Sequence, residues 1–322
     1  MRRADFLRLC AVGLLTAATA GCTPAPARVP LGGRRILVPA APGGGYDLTA
    51  RTVAGLLLES DILPGPLEVF NLPGGGGVHG LSRLTAETGD DRLIMAMGLG
   101  VVGSAVASAP HLDPAAATPL ARLFAEPGAV LVPSGSPFAD AAALFARWRE
   151  SPGGIRVGGG STVGGPDHLF AVTVARRLGI PTDAMVFVPY SGGGDVVTGM
   201  LSGSVDVGFA GAGEVRPYLD SGALRALAVS AGDRLDGIPA PTLIEAGVDV
   251  RFENWRGLIG PADMPDDERE RWLDALRRLQ ALPGWRDALV THGWRDAYLE
   301  GEEFRGFLRD QRAEVQRILA GG

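Results

Sequence analysis

The sequence predicts an α/β protein folded as two lobes around a cleft. Short apolar runs of four to six residues alternate with longer helical patterns, the sign of mostly parallel strands joined by helices. Glycine-rich turns follow several of those runs. About 290 residues follow position 33, more than one hydrophobic core usually organises.

The elements follow in order. Residues 35–39 are predicted as the first strand, 47–59 as its helix, 67–71 as the second strand, 78–88 as a helix and 93–97 as the third strand. Residues 128–133 read as a strand leaving this lobe, because a fresh series begins after them. That series runs helix 138–150, strand 155–158, helix 166–178, strand 185–188, helix 196–202 and strand 205–209, with 224–230 as the return strand. The first lobe is therefore expected at 34–133 plus 231–322 and the second at 134–230, with a hinge where the chain crosses twice. In the tail, Asp266 after Pro265 is the expected cap of a helix carrying Trp272, Leu273, Leu276 and Leu279. Phe304, Phe307, Leu308, Val315, Ile318 and Leu319 mark a final amphipathic helix from about Glu302.

The first residues address the compartment. Arg2 and Arg3 precede an apolar stretch at 9–20 that ends in Thr19-Ala20-Gly21-Cys22. The stretch is too short to cross roughly 30 Å of hydrocarbon, so it reads as an export signal. Small residues directly before a cysteine resemble the lipobox of bacterial lipoproteins. On that likeness 1–21 is a signal peptide, Cys22 carries a lipid, and 22–33 is a tether from membrane to folded domain. The expected location is the outer face of the cytoplasmic membrane, and Arg2 to Arg8 also look like a twin-arginine signal. The other cysteine, Cys10, lies within the signal, so no thiol remains for a disulfide, a metal or nucleophilic catalysis.

Composition excludes several chemistries. The net charge of −6 is spread along the chain and gives no reason to expect nucleic acid. All 30 basic residues are arginine, which rules out a P-loop, a Schiff-base cofactor and a catalytic lysine. No serine sits in a GxSxG elbow, Gly158, Gly160 and Gly164 are spaced GxGxxxG rather than GxGxxG, and His79, His111, His168 and His292 show no metal-binding spacing. No cofactor and no metal are expected. His168 is the histidine nearest the predicted cleft, and a structural role is the expected one.

Four glycine turns stand where strands hand over to helices. They are Pro42-Gly43-Gly44-Gly45-Tyr46-Asp47, Pro73 to Gly77 with Gly75 and Gly76 at its centre, the run from Gly158 to Gly165 holding Ser161 and Thr162, and Tyr190-Ser191-Gly192-Gly193-Gly194-Asp195. Glycine leaves the backbone open to a ligand, and first-turn amides have no partner inside the helix, so such turns hold anions. Two fall in each predicted lobe and face the expected cleft.

These segments resemble a known family. Val38-Pro39-Ala40-Ala41-Pro42-Gly43-Gly44-Gly45-Tyr46-Asp47, Asn71 to Gly80, Val188 to Asp195 with Gly203 to Val207, Pro239 to Gly247, Trp255 to Pro261 and Gly301 to Phe304 resemble, in order, blocks of the tripartite tricarboxylate transporter substrate-binding proteins, the TctC or Bug type. The resemblance implies a periplasmic-binding-protein fold (Venus flytrap, type II-like), no catalysis, and a monomer that hands a small di- or tricarboxylate to membrane permease subunits. It implies ligand contacts from Gly43, Gly44, Gly45, Tyr46 and Asp47, from Gly75 and Gly76, and from Tyr190, Ser191, Gly192, Gly193 and Asp195, with Ser161 and Thr162 as side-chain donors. Ala40-Ala41 and Gly193-Gly194 depart from the family pattern in the direction of a larger pocket. No arginine lies in the two best-matched loops, which favours amide and water recognition over a guanidinium clamp. Asp47 and Asp195 also read as helix caps or loop braces, since an ionised side chain repels a bound carboxylate. Two other classes use such a chain: a sensing subunit for a membrane kinase, and an extracytoplasmic enzyme, for which the sequence shows no nucleophile, metal set or paired acids.

Overall fold

The structure is a computed structural model that describes residues 33–320. The expected signal peptide, Cys22 and all but the last residue of the tether lie outside the described residues.

The first β-α-β-α-β unit comprises β1 (Arg34–Val38), α1 (Gly45–Glu59), β2 (Leu67–Asn71), α2 (Val78–Ala86) and β3 (Leu93–Gly98). Its first strand is central: β1 pairs in parallel with β2 and β3, with Ile36 opposite both Val69 and Ile94. Period-two alternation sends Ile36 and Val38 to one face, against Val53, Leu57, Trp272 and Leu276, and Leu37 to the other, against Leu81, Val101 and Phe304. A helix absent from the sequence reading follows, α3 (Leu99–Ser108). It is apolar all round and buried from Leu99 to Ala105, so it shows no amphipathic period.

Next comes β4 (Thr118–Pro133), where a strand was expected only from 128. Pro119, Arg122, Glu126 and Pro127 break the apolar run, and register shifts at Pro119/Ala121 and Arg122/Phe124 accommodate the interruptions. α4 (Ala141–Glu150) then starts behind Asp140, whose carboxylate accepts the Ala143 N–H at 2.8 Å.

The second unit repeats the first with β5 (Arg156–Gly159), α5 (Pro166–Arg177), β6 (Val186–Pro189), α6 (Gly193–Leu201) and β7 (Val207–Gly211). Again the first strand is central, with Val157 opposite both Phe187 and Val207. A short α7 (Arg216–Asp220) leads to β8 (Leu224–Val229). The chain then adds Leu243, Val248 and Val250 to the core around Val157 and Phe209 before β9 (Glu253–Gly260).

β4 belongs to both sheets. Its first part pairs antiparallel with β9, from Thr118 opposite Gly260 to Pro127 opposite Glu253, and its second part with β7 and β8. α8 (Asp266–Ala281), α9 (Pro283–His292), β10 (Arg295–Glu300) and α10 (Gly301–Leu319) close the first lobe, with β10 pairing β4. Asp266 lies inside α8, and no side chain caps that helix. Its first turn is anchored instead by Glu268, 4% exposed, which accepts Arg34 Nε at 2.6 Å and ties α8 to β1.

Candidate functional site

In each unit the connections leave the central strand and its partner in opposite directions at the carboxyl ends of β1 and β3, and of β5 and β7, which makes a topological switch point. The loops from these ends enclose a cleft of about 990 Å³. Of the residues expected to bind, Gly43, Gly44, Gly45, Tyr46, Gly76, Ser161, Thr162, Tyr190, Ser191, Gly192 and Gly193 line it. Asp47, Gly75 and Asp195 do not.

The loop before α1 shows why Asp47 is elsewhere. Gly43 turns the chain at φ +83°, which favours glycine. Asp47, 4% exposed, sits beneath this turn and accepts the Gly43 N–H at 2.9 Å, Arg51 Nε at 3.0 Å and Asn71 Nδ2 at 2.9 Å. The hydrogen bonds from Arg51 pull its carboxyl down to about 2. It is a brace that leaves the α1 end, capped by no side chain, facing the cleft. Asp195 is exposed in the first turn of α6, and Gly75 is exposed beside the lining residue Gly76.

In the second lobe the loops after β5 and β6 meet closely. A β-carbon on Gly160 would lie 2.7 Å from the Gly193 nitrogen, so only glycine permits this approach. Gly192 precedes α6 with no side-chain cap. Ser161 Oγ accepts the Asp167 N–H at 3.1 Å and keeps its own proton to donate. His168, 9% exposed, accepts the Gly164 N–H on Nδ1 at 3.2 Å, and burial lowers its pKa. It holds the loop as a neutral ring and does not line the cleft.

Charged side chains in the cleft correct two expectations. A guanidinium is present: Arg256 on β9 lines the cavity, lies 4.5 Å from the Tyr46 ring centroid, and donates through Nη1 to Asn254 Oδ1 at 2.5 Å. Tyr46 in turn accepts the Val101 N–H on its hydroxyl at 3.2 Å, fixing the ring beneath the cation. Acids are also present: Glu126 on β4, Asp167 in the first turn of α5, and Glu214 after β7 line the same cavity. Burial pushes Glu126 up to about 7 and Asp167 up to about 8, and the charge of Glu214 adds to both.

Glu126 and Arg256 lie 130 positions apart, and only the antiparallel pairing of β4 with β9 brings them together. Glu214 did leave a signal. Gly211-Ala212-Gly213-Glu214 follows a strand just as the other four glycine turns do.

The family described as Tripartite tricarboxylate transporter family receptor matches residues 50–321. BugT of Bordetella pertussis is 30% identical over 294 residues, covering 88% of this chain and 86% of BugT. A TctC solute binding protein from Polaromonas, solved without ligand, is 25% identical with a TM-score of 0.71, over 89% of this chain and 97% of that one. MatC from Rhodopseudomonas palustris, solved with bound malate, is 23% identical with a TM-score of 0.77, over 90% and 99% of the two chains.

Proposed function

The chain belongs to the tripartite tricarboxylate transporter receptor family, whose members are solute-binding receptors and not enzymes, and on that premise we propose that it captures a small carboxylate between its lobes and delivers it to the permease subunits of a membrane transporter. The observation that carries this reading is the meeting, in one cleft, of the uncapped starts of α1 and α6 with Arg256. Helix starts present unpaired N–H groups and the positive end of the macrodipole, and a guanidinium adds a full charge. The carboxylate sits at the amides of Gly45 and Tyr46 beside Arg256, with Thr162 and Ser161 donating from the facing lobe. The malate bound by MatC supports this class of ligand.

Closure follows from a ligand that touches both lobes and so favours the state in which they approach. The expected lobe bounds shift: β4 from Gly128 and the segment holding Leu243, Val248 and Val250 pack in the second core, so the lobes are 34–127 with 253–320, and 128–252, and the bend falls where β4 passes from one sheet to the other at Pro127 and Gly128. Residues 1–21 direct export, and Cys22 anchors the protein by lipid to the outer face of the cytoplasmic membrane. There it stands as a monomer that a permease meets in its closed form.

A thermal-shift screen of the chain against di- and tricarboxylates, aromatic carboxylates and acidic amino acids tests the reading. A ligand at one hundred times its dissociation constant adds roughly 2.7 kcal/mol. A shift with one of these classes is the expected result, and a chain that melts unchanged with all of them would overturn it.

A further inference from the structure

The cleft divides its charge between its two sides. Toward the first lobe stand the start of α1 and Arg256, whose Nη2 lies 3.0 Å from the point a β-carbon on Gly45 would occupy. Facing them stand three carboxyls, Asp167 and Glu214 from the second lobe and Glu126 on β4 just before the sheets part. Asp167 begins α5, and Glu214 Oε2 lies 2.6 Å from a β-carbon position on Gly193, at the start of α6. Glu126, 7% exposed, accepts the Gly213 N–H on Oε1 at 3.2 Å.

Among the described residues none of these four side chains belongs to an ion pair, although the chain forms many elsewhere. A buried carboxylate kept for stability is paired, because its lost hydration must be replaced. Glu268, held by Arg34 and Arg271, is the example in this chain. Glu126 instead faces a cavity large enough for a solute. No three acids or histidines among the described residues converge on a metal-sized point, so a divalent cation does not fit as the missing counter-charge.

We propose that the ligand is an amino carboxylate, its carboxylate at Arg256 and the α1 amides and its ammonium between Glu126 and Glu214. The inference rests on the carboxylate reading above and narrows it. A plain dicarboxylate spanning the cleft would bring its second negative charge to Glu126 and Glu214 and would be held there only with their protons in place. A zwitterion matches both sides and gains from closing them together.

Calorimetric titration of the chain at pH 7.5 with matched probes tests this: glutamate against glutarate, and 5-aminopentanoate against pentanoate and pentylamine. The amino carboxylate should bind at least tenfold more tightly than its deamino partner in one pair. Glu126→Gln, and independently Glu214→Gln at an exposed position that burdens folding less, should each bring that ratio toward one. A deamino acid that binds as tightly as its amino partner overturns the proposal and leaves the carboxylate reading standing. Pentylamine binding as tightly as 5-aminopentanoate overturns the carboxylate reading instead, and binding by none of the probes counts against both.

Discussion

The guanidinium of Arg256 lies 4.5 Å from the centre of the Tyr46 ring, which joins the strand returning from the second lobe to the first glycine turn. Tyr46 is held from below by the Val101 amide, so the cation rests on a fixed platform at the start of α1. Replacing Arg256 with Gln should weaken carboxylate binding roughly 10- to 100-fold, the worth of a charge-assisted hydrogen bond. Titration of the variant checks this, with the far-ultraviolet spectrum unchanged.

The acids predict how stability responds to pH. Asp167 and Glu126 have folded-state values of about 8 and about 7, above those of free carboxyls. The folded chain therefore holds more protons, and the stability these groups contribute is complete below about pH 4 and is lost as pH rises through 7 and 8. The unliganded melting temperature should fall between pH 5 and pH 8. Asp167→Asn should fall less steeply over the same range.

Asp47 works in the opposite sense and in another window. Its value of about 2 means that its contribution is present above about pH 4 and is lost as pH falls through 2. At neutral pH, Asp47→Ala removes acceptors from Gly43, Arg51 and Asn71. Denaturant unfolding should show a loss of about 1–3 kcal/mol, together with weaker ligand binding as the first turn loosens.

Ser230 marks the place where the two sheets part. Fully buried, it accepts the Gly128 N–H at 2.7 Å and donates to the Phe252 carbonyl at 2.5 Å, pinning β4 to the segments that flank β8 and β9. Ser230→Ala leaves two buried backbone groups without a partner. Its unfolding free energy should drop by about 1–3 kcal/mol. Ser230→Thr should do less harm to these bonds, which separates their loss from any change in packing.

Gly160→Ala tests the second lobe. Its β-carbon would meet the Gly193 nitrogen at 2.7 Å, so the loops after β5 and β6 must separate. Affinity should fall by tenfold or more in titration. Gly135→Ala is the contrast and should leave affinity unchanged, since nothing lies within 4 Å of its β-carbon position and it does not line the cleft.

Local pattern carried the strands and glycine turns. The order of parallel strands, most helices and the four turns could be read from apolar runs and glycine spacing, because each is a local signal. The first ten residues of β4, α3, α7, β9, α9 and β10 were not legible. Prolines and charges interrupt the first, and uniform burial erases the period of α3. In the site, the backbone loops were legible and the charges were not. Arg256 and Glu126 stand within strands, and a strand residue declares its neighbours only after pairing. Asp47 shows the converse: adjacent in sequence to the lining residues, it turns beneath the loop, because Arg51 one helical turn on and Asn71 on β2 hold it there.

The most direct test is the affinity of the best carboxylate from the screen against that of its methyl ester, measured by titration into the same chain. The ester keeps the shape and removes the charge. If the α1 amides and Arg256 hold a carboxylate, the ester binds at least a hundredfold more weakly. An ester that binds as tightly as the acid would contradict the account.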